Sequence, residues 1–302
     1  MDTHCHLQFN AYNKDREEVI KRCAEKKTVC NVVGTQKDTS RLAVELAEKY
    51  DFLYATIGLH PIHLFSAEVD EEETSFKSRE ESFDESYYDE LAKSKKVIAV
   101  GECGLELFHL PKNLNSEEVL KKQKEVFVQQ YNFAKKHNLP LVIHVRDAHE
   151  QMLELLRSVI ARSETTKQSL GNHGIAALPA VARNDIHGVM HCYTANWKYA
   201  EQYLDFGLHL GFTGVITFPH RKTNPKADID LSEVVEKCPL DKILIETDAP
   251  SLAPQAFRGQ RCEPWMVEEV AKKIAEIKGK SVDEIVRITN ENAQKLFKLS
   301  PK

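Results

Sequence analysis

The run Leu141-Val142-Ile143-His144-Val145 lies between two stretches with helical periodicity, 121–137 and 149–162. A short apolar run flanked by longer amphipathic ones marks a strand within a βα unit. The same unit recurs outward in both directions. Strands are expected over 28–35, 52–59, 97–102, 141–145, 186–191, 207–212 and 243–246, after a first short strand at the very N-terminus. Helical patterns fall over 16–26, 39–50, 121–137, 149–162 and 198–206, and two more, 264–278 and 281–297, follow the last strand. Eight strands with intervening helices in 302 residues fit an α/β (β/α)8 TIM barrel better than an open sheet.

Residues 1–302 therefore read as one barrel domain carrying two interruptions. Residues 67–89 are crowded with Asp, Glu and Ser and read as an extended, mobile βα loop with part of a helix at its end. Residues 163–185 read as a polar loop bearing Gly and Pro. The strand pattern resumes after each, so neither marks a domain boundary. Almost nothing precedes His4, which makes the first strand look fragile.

Composition narrows the function. No stretch is apolar enough to span a bilayer, and the first residues lack a signal peptide's basic and apolar regions, so a cytoplasmic protein is expected. Seven cysteines with no Cys-x-x-Cys pair argue against a disulfide framework or a thiolate zinc site. A net charge of −5 argues against broad adhesion to nucleic acid, though it permits one cationic, metal-loaded cleft. No obligate protein partner is evident.

The chemistry is written at the strand ends. His4 and His6 follow the first strand, and His60, Glu102, His144, His191 and Asp248 end later ones. In such a barrel the C-terminal strand ends converge on one face. A lone strand-end histidine is more often a hydrogen-bonded core residue. Several in phase with two carboxylates make that account hard to sustain. Period-two alternation points His4 and His6 the same way and Cys5 the other. Cys103 and Cys192, each directly following a ligand candidate, should likewise point away as packing residues. Imidazole and carboxylate together suit zinc, manganese, iron or nickel better than calcium; magnesium also stays open.

These residues stand in longer strings. Asp2-Thr3-His4-Cys5-His6-Leu7, Gly58-Leu59-His60-Pro61, Gly101-Glu102-Cys103-Gly104-Leu105, Ile143-His144-Val145-Arg146-Asp147-Ala148, His191-Cys192-Tyr193 and Glu246-Thr247-Asp248-Ala249-Pro250 resemble the TatD family of metal-dependent deoxyribonucleases, within the amidohydrolase-like barrels. The likeness continues through Leu252-Ala253-Pro254, Arg258-Gly259 and Glu263-Pro264, so it spans essentially the whole chain. It implies two divalent ions. One would be held by His4, His6, Glu102 and Asp248, the other by Glu102, His144 and His191, with Glu102 bridging. It also implies that His60 contacts substrate phosphate and assists proton transfer, and that Asp248 acts as general base on a metal-activated water.

Some positions depart from the family. Its usual Gly-Leu-Asp-Tyr reads Gly104-Leu105-Glu106-Leu107-Phe108 here, and Cys262 replaces the Asn usual before Glu-Pro. Arg146 is expected either near the phosphate or, slightly preferred, paired with Asp147. Arg258 and Arg261 flank a permissive Gly and are expected to meet a phosphate backbone. His63 and Phe65 could stack on a base, whereas Phe212 and Phe218 read as core.

The function expected is 3′-to-5′ exonucleolytic cleavage of single-stranded DNA. The same centre could instead hydrolyse an amide or a small phosphoester. A silent binding module with structural metals is the third reading.

Overall fold

A computed structural model describes residues 1–66, 68–70, 75–169, 186–219 and 230–300. In chain order the strands are β1 (Asp2–Cys5), β2 (Cys30–Val33), β3 (Leu53–Ile57), β4 (Glu68–Asp70), β5 (Ser75–Lys77), β6 (Val97–Glu106), β7 (Leu141–Arg146), β8 (Gly188–Met190), β9 (His209–Phe212) and β10 (Ile243–Ile245). The helices are α1 (Arg16–Glu25), α2 (Lys37–Lys49), α3 (Glu85–Leu91), α4 (Ser116–His137), α5 (His149–Ser169), α6 (Trp197–Asp205), α7 (Leu231–Lys237), α8 (Val267–Lys278) and α9 (Val282–Phe297).

Eight strands form one sheet in the order β1-β2-β3-β6-β7-β8-β9-β10, every neighbouring pair parallel. A parallel bridge between Cys5 and Ala249 brings the two ends together, with Asp248 N–H donating to the His4 carbonyl at 2.9 Å and His6 N–H to that of Ala249 at 2.7 Å. The sheet thus curls into the expected TIM barrel, its strands connected by helices. β1 is not fragile: all four of its residues are buried, because the closure wraps it on both sides.

The described elements start and stop for local reasons. Asn115 caps α4 by accepting from the Glu118 N–H at 2.9 Å, while Glu118 reaches back to the Asn115 N–H. That capping box starts α4 at Ser116, five residues before the helix expected over 121–137. α5 runs on to Ser169, so 163–169 are helical and not loop; 170–185 lie outside the described residues. Among the described residues no helix is long and apolar enough to cross a membrane.

The acidic interruption is more ordered than expected. Part of it is an antiparallel hairpin, β4 with β5, and its end is α3. Tyr88 is fully buried, stacks on Phe83 and donates its hydroxyl to the Gly58 carbonyl at 2.9 Å. Five of its acids are matched by bases: Glu80 by Lys122, Glu81 by Arg79, Asp84 by Lys37, and Glu85 and Asp89 by Lys136. These pairs lower the local negative charge that would otherwise repel a polyanion.

Candidate metal centre

β6 is the element that builds the site. It was expected to end at Glu102 but continues to Glu106, so Glu102 lies inside a ten-residue strand whose register shifts between Val100 and Cys103. Gly104 permits the close approach of β7: a Cβ there would lie 1.8 Å from the His144 carbonyl oxygen.

Glu102 lies between two sets of side chains. Its Oε2 faces His4 Nε2 at 3.4 Å. Its Oε1 faces His144 Nδ1 at 2.9 Å, His60 Nε2 at 3.4 Å and His191 Nε2 at 3.8 Å. On the other side of His4, Asp248 Oδ1 lies 3.3 Å from His6 Nε2 and 3.5 Å from His191 Nε2. His4 and His6 bring their Nε2 atoms to 3.3 Å. Three groups, His4–His6–Asp248, His4–Glu102–His191 and His60–Glu102–His144, each keep their ligand atoms within 4.8 Å of one another. All six expected ligands and His60 are therefore brought together, with His191 reaching both Glu102 and Asp248.

Hydrogen bonds on the far ring nitrogens decide which lone pairs point inward. His6 Nδ1 lies 2.8 Å from the Val33 carbonyl, which can only accept, so Nδ1 carries a proton and, in the neutral ring, Nε2 is the free base. Glu246 holds His191 by Nδ1, and Glu106 holds His144 by Nε2 at 3.1 Å. Each carboxylate thus steers the opposite nitrogen inward, as second partners of metal-binding histidines do. His60 is set the other way: its Nδ1 accepts the Ile62 N–H at 3.1 Å, so in the neutral ring Nε2 is a donor. A neutral ring fixed like that turns a proton toward Glu102, 3.4 Å away.

Charge follows geometry. Burial would raise Glu102, but His60, His191 and His4 around it and the His144 hydrogen bond hold it well below the usual carboxylate range. Burial would lower His144, yet Glu102 and Glu106 push it up to about 10; for His191, Glu246, Glu102 and Asp248 outweigh burial and push it to about 9. Burial keeps His4 and His60 low. So many converging acceptors call for a cation, supplied either by protons or by metal. His4 Nδ1 is buried with no hydrogen-bond partner, as is one oxygen of Glu246. Buried imidazoles and carboxylates without a Lys or Arg among them fit divalent ions.

Several residues outside the expected set matter. Glu246 directly follows β10, two residues before Asp248, whose φ of 61° takes the backbone out of the extended strand. Gly211 makes room for it, since a Cβ there would sit 1.7 Å from Glu246 Oε1. Glu106 is the other, its Oε2 lying 3.1 Å from His144 Nε2. Cys5 and Cys103 do point away, toward the carbonyls of Asn31 and Val142. Cys192 does not. Its φ of 43° breaks the strand alternation, and its Sγ joins His191 and Asp248 within 4.8 Å.

The remaining candidates lie as follows. His63 is buried, 6.2 Å from His60 between ring centroids, and burial lowers its pKa to about 3. Arg146 stacks on Phe108, with its guanidinium 3.9 Å from the ring centroid. Arg258 lies over Phe218 at 4.4 Å, and Arg261 is committed to Asp15 through two contacts of 2.6 and 2.9 Å. Phe212 is core, as expected.

A parallel eight-stranded barrel with clustered histidines and carboxylates at its strand ends fits a metal-dependent hydrolase. The chain belongs to the TatD family: the model of the family described as TatD related DNase matches residues 1–298. It is 38% identical over 300 residues to the uncharacterized metal-dependent hydrolase YabD of Bacillus subtilis, covering 99% of each chain. It is 30% identical over 304 residues to the 3′-5′ ssDNA/RNA exonuclease TatD of Pantoea ananatis, again covering 99% of each. The crystal structure of YjjV, a TatD homolog from Escherichia coli, superposes with a TM-score of 0.74 at 26% identity, covering 99% of this chain and 98% of that one.

Proposed function

We propose that the chain is a phosphodiesterase that shortens single-stranded DNA from its 3′ end, with two divalent ions held by His4, His6, Glu102, His144, His191 and Asp248. The observation that carries this reading is Glu102, whose two oxygens face different histidine sets, the arrangement a shared carboxylate needs. The exonuclease name of the Pantoea relative supports the substrate class. Bound divalent ions supply polarisation of the phosphoryl oxygens and a nucleophile at neutral pH.

The side chains do the rest. Asp248 is the more accessible acid, its side chain 22% exposed against 5% for Glu102, so it can accept a proton and release it to solvent. His60, neutral and donating through Nε2, hydrogen-bonds a phosphate or leaving-group oxygen. Glu106 and Glu246 keep His144 and His191 oriented.

Metal-reconstituted protein should shorten end-labelled single-stranded DNA. Chelator, Glu102→Ala and Asp248→Asn should each reduce cleavage to background. Variants that cut as fast as the parent would remove the site from the reaction. Hydrolysis of an amide or simple phosphoester with no attack on DNA would replace the substrate.

A further inference from the structure

Among the described residues four large apolar side chains are exposed: Leu42, Phe108, Leu110 and Leu114. Three of them fall on the short segment that leaves β6 and leads into α4, and Phe108 is the most exposed, at 55%. A bare phenyl ring on a surface is ordinary in isolation. This one is held in place beside the metal-binding histidines.

The backbone anchors it first. The N–H groups of Phe108 and His109 donate to Glu106 Oε1 at 2.6 and 3.1 Å, while Glu106 Oε2 faces His144 Nε2 at 3.1 Å. One carboxylate therefore fixes both a histidine of the centre and the start of the aromatic segment. The side chain is braced next. Arg146, the β7 partner of Glu106 in the sheet register, places its guanidinium 3.9 Å from the Phe108 ring centroid, and His109 meets the ring edge-on at 4.8 Å. Arg146 is two residues beyond His144 on β7, roughly 7 Å further along the strand.

A flat ring backed by a guanidinium and still half open matches one occupant above others. Every nucleobase has a π face, and base stacking on such a ring is sequence-tolerant. The cation adds attraction for the adjoining phosphate in a chain whose net charge is −5. Resting on the phosphodiesterase reading above, we infer that Phe108, braced by Arg146, is the platform on which a base next to the cleaved phosphate stacks.

The test crosses two changes in the full, metal-loaded chain. Phe108→Ala keeps the backbone donors to Glu106, and the substrate is an oligothymidylate with either a normal or an abasic 3′-terminal nucleotide. Phe108→Ala should raise KM roughly tenfold on the base-bearing strand and distinctly less on the abasic one. Phe108→Trp should stay near the parent, and its added fluorescence should be quenched by the base-bearing strand, even in metal-free protein. Equal penalties on both strands, or none where the parent cuts DNA, overturn the inference. A parent that cuts neither strand defeats the phosphodiesterase reading. Quenching in Phe108→Trp then decides the platform separately: its presence retains a base-binding ring, and its absence removes it.

Discussion

Two buried polar clusters sit side by side in this barrel, and they are built on opposite principles. In the first, Asn31 donates to the Thr3 carbonyl at 3.0 Å and exchanges hydrogen bonds with Thr56, while Asp2 accepts from Thr247 twice and from the His4 N–H. In the second, His4, His6, His191, Glu102 and Asp248 turn acceptors toward one another at 3.3–3.8 Å. In the first network each of these groups meets a donor or acceptor of the protein itself. The second is stable only with added positive charge, since buried acceptors cost free energy unless paired. Sites separate from scaffolding by that criterion, and burial alone would not separate them, since His4, His6, His191 and Glu102 are buried as well.

Asn31→Ala should be the largest blow to stability, about 2–4 kcal/mol in denaturant unfolding, because it strands the Thr3 carbonyl and the Thr56 hydroxyl. Metal stoichiometry of the folded fraction should not change. Glu246→Gln should do the reverse: metal affinity measured by titration should fall roughly 10- to 100-fold with little change in unfolding. A variant that loses both together would show that the two clusters are one.

Histidines sharpen the contrast further. His144 and His191 are raised by carboxylates, whereas burial lowers His209 and His149 to about 4 and His63 to about 3. A folded pKa below the unfolded value means the unfolded chain binds more protons between the two. The stabilisation therefore stands above pH 6.5 and is lost as pH falls toward 4. His209→Gln should flatten that acid slope by roughly 2 kcal/mol between pH 6.5 and 4 in metal-free protein, read by thermal unfolding. An unchanged slope would mean that His209 does not titrate with unfolding. The smallest effect expected is Asn115→Ala, about 1 kcal/mol from the lost cap of α4.

Much of this could be read from residues alone, for physical reasons. Parallel strands buried on both faces leave apolar runs, and polar residues at their ends stand out, so His4, Glu102, His144, His191 and Asp248 were visible as one set. Glu106 and Glu246 were harder, because their role depends on which ring nitrogen they touch, and spacing does not encode that. Cys192 misled because alternation holds only while φ stays extended. The start of α4 was legible in Asn115 and Glu118, whose capping box outranks the apolar periodicity that begins later. The hairpin in the acidic segment left no alternating pattern to find.

The central claim is that the second cluster is completed by divalent metal. Metal-free protein should be titrated with Zn2+ or Mn2+ beside Glu102→Gln, with binding followed by calorimetry and thermal unfolding. Two ions per chain with a rise in the parent's Tm, and loss of that stoichiometry in the variant, is the predicted result. A parent that binds neither ion at a defined stoichiometry, or a variant that binds as the parent does, would contradict it.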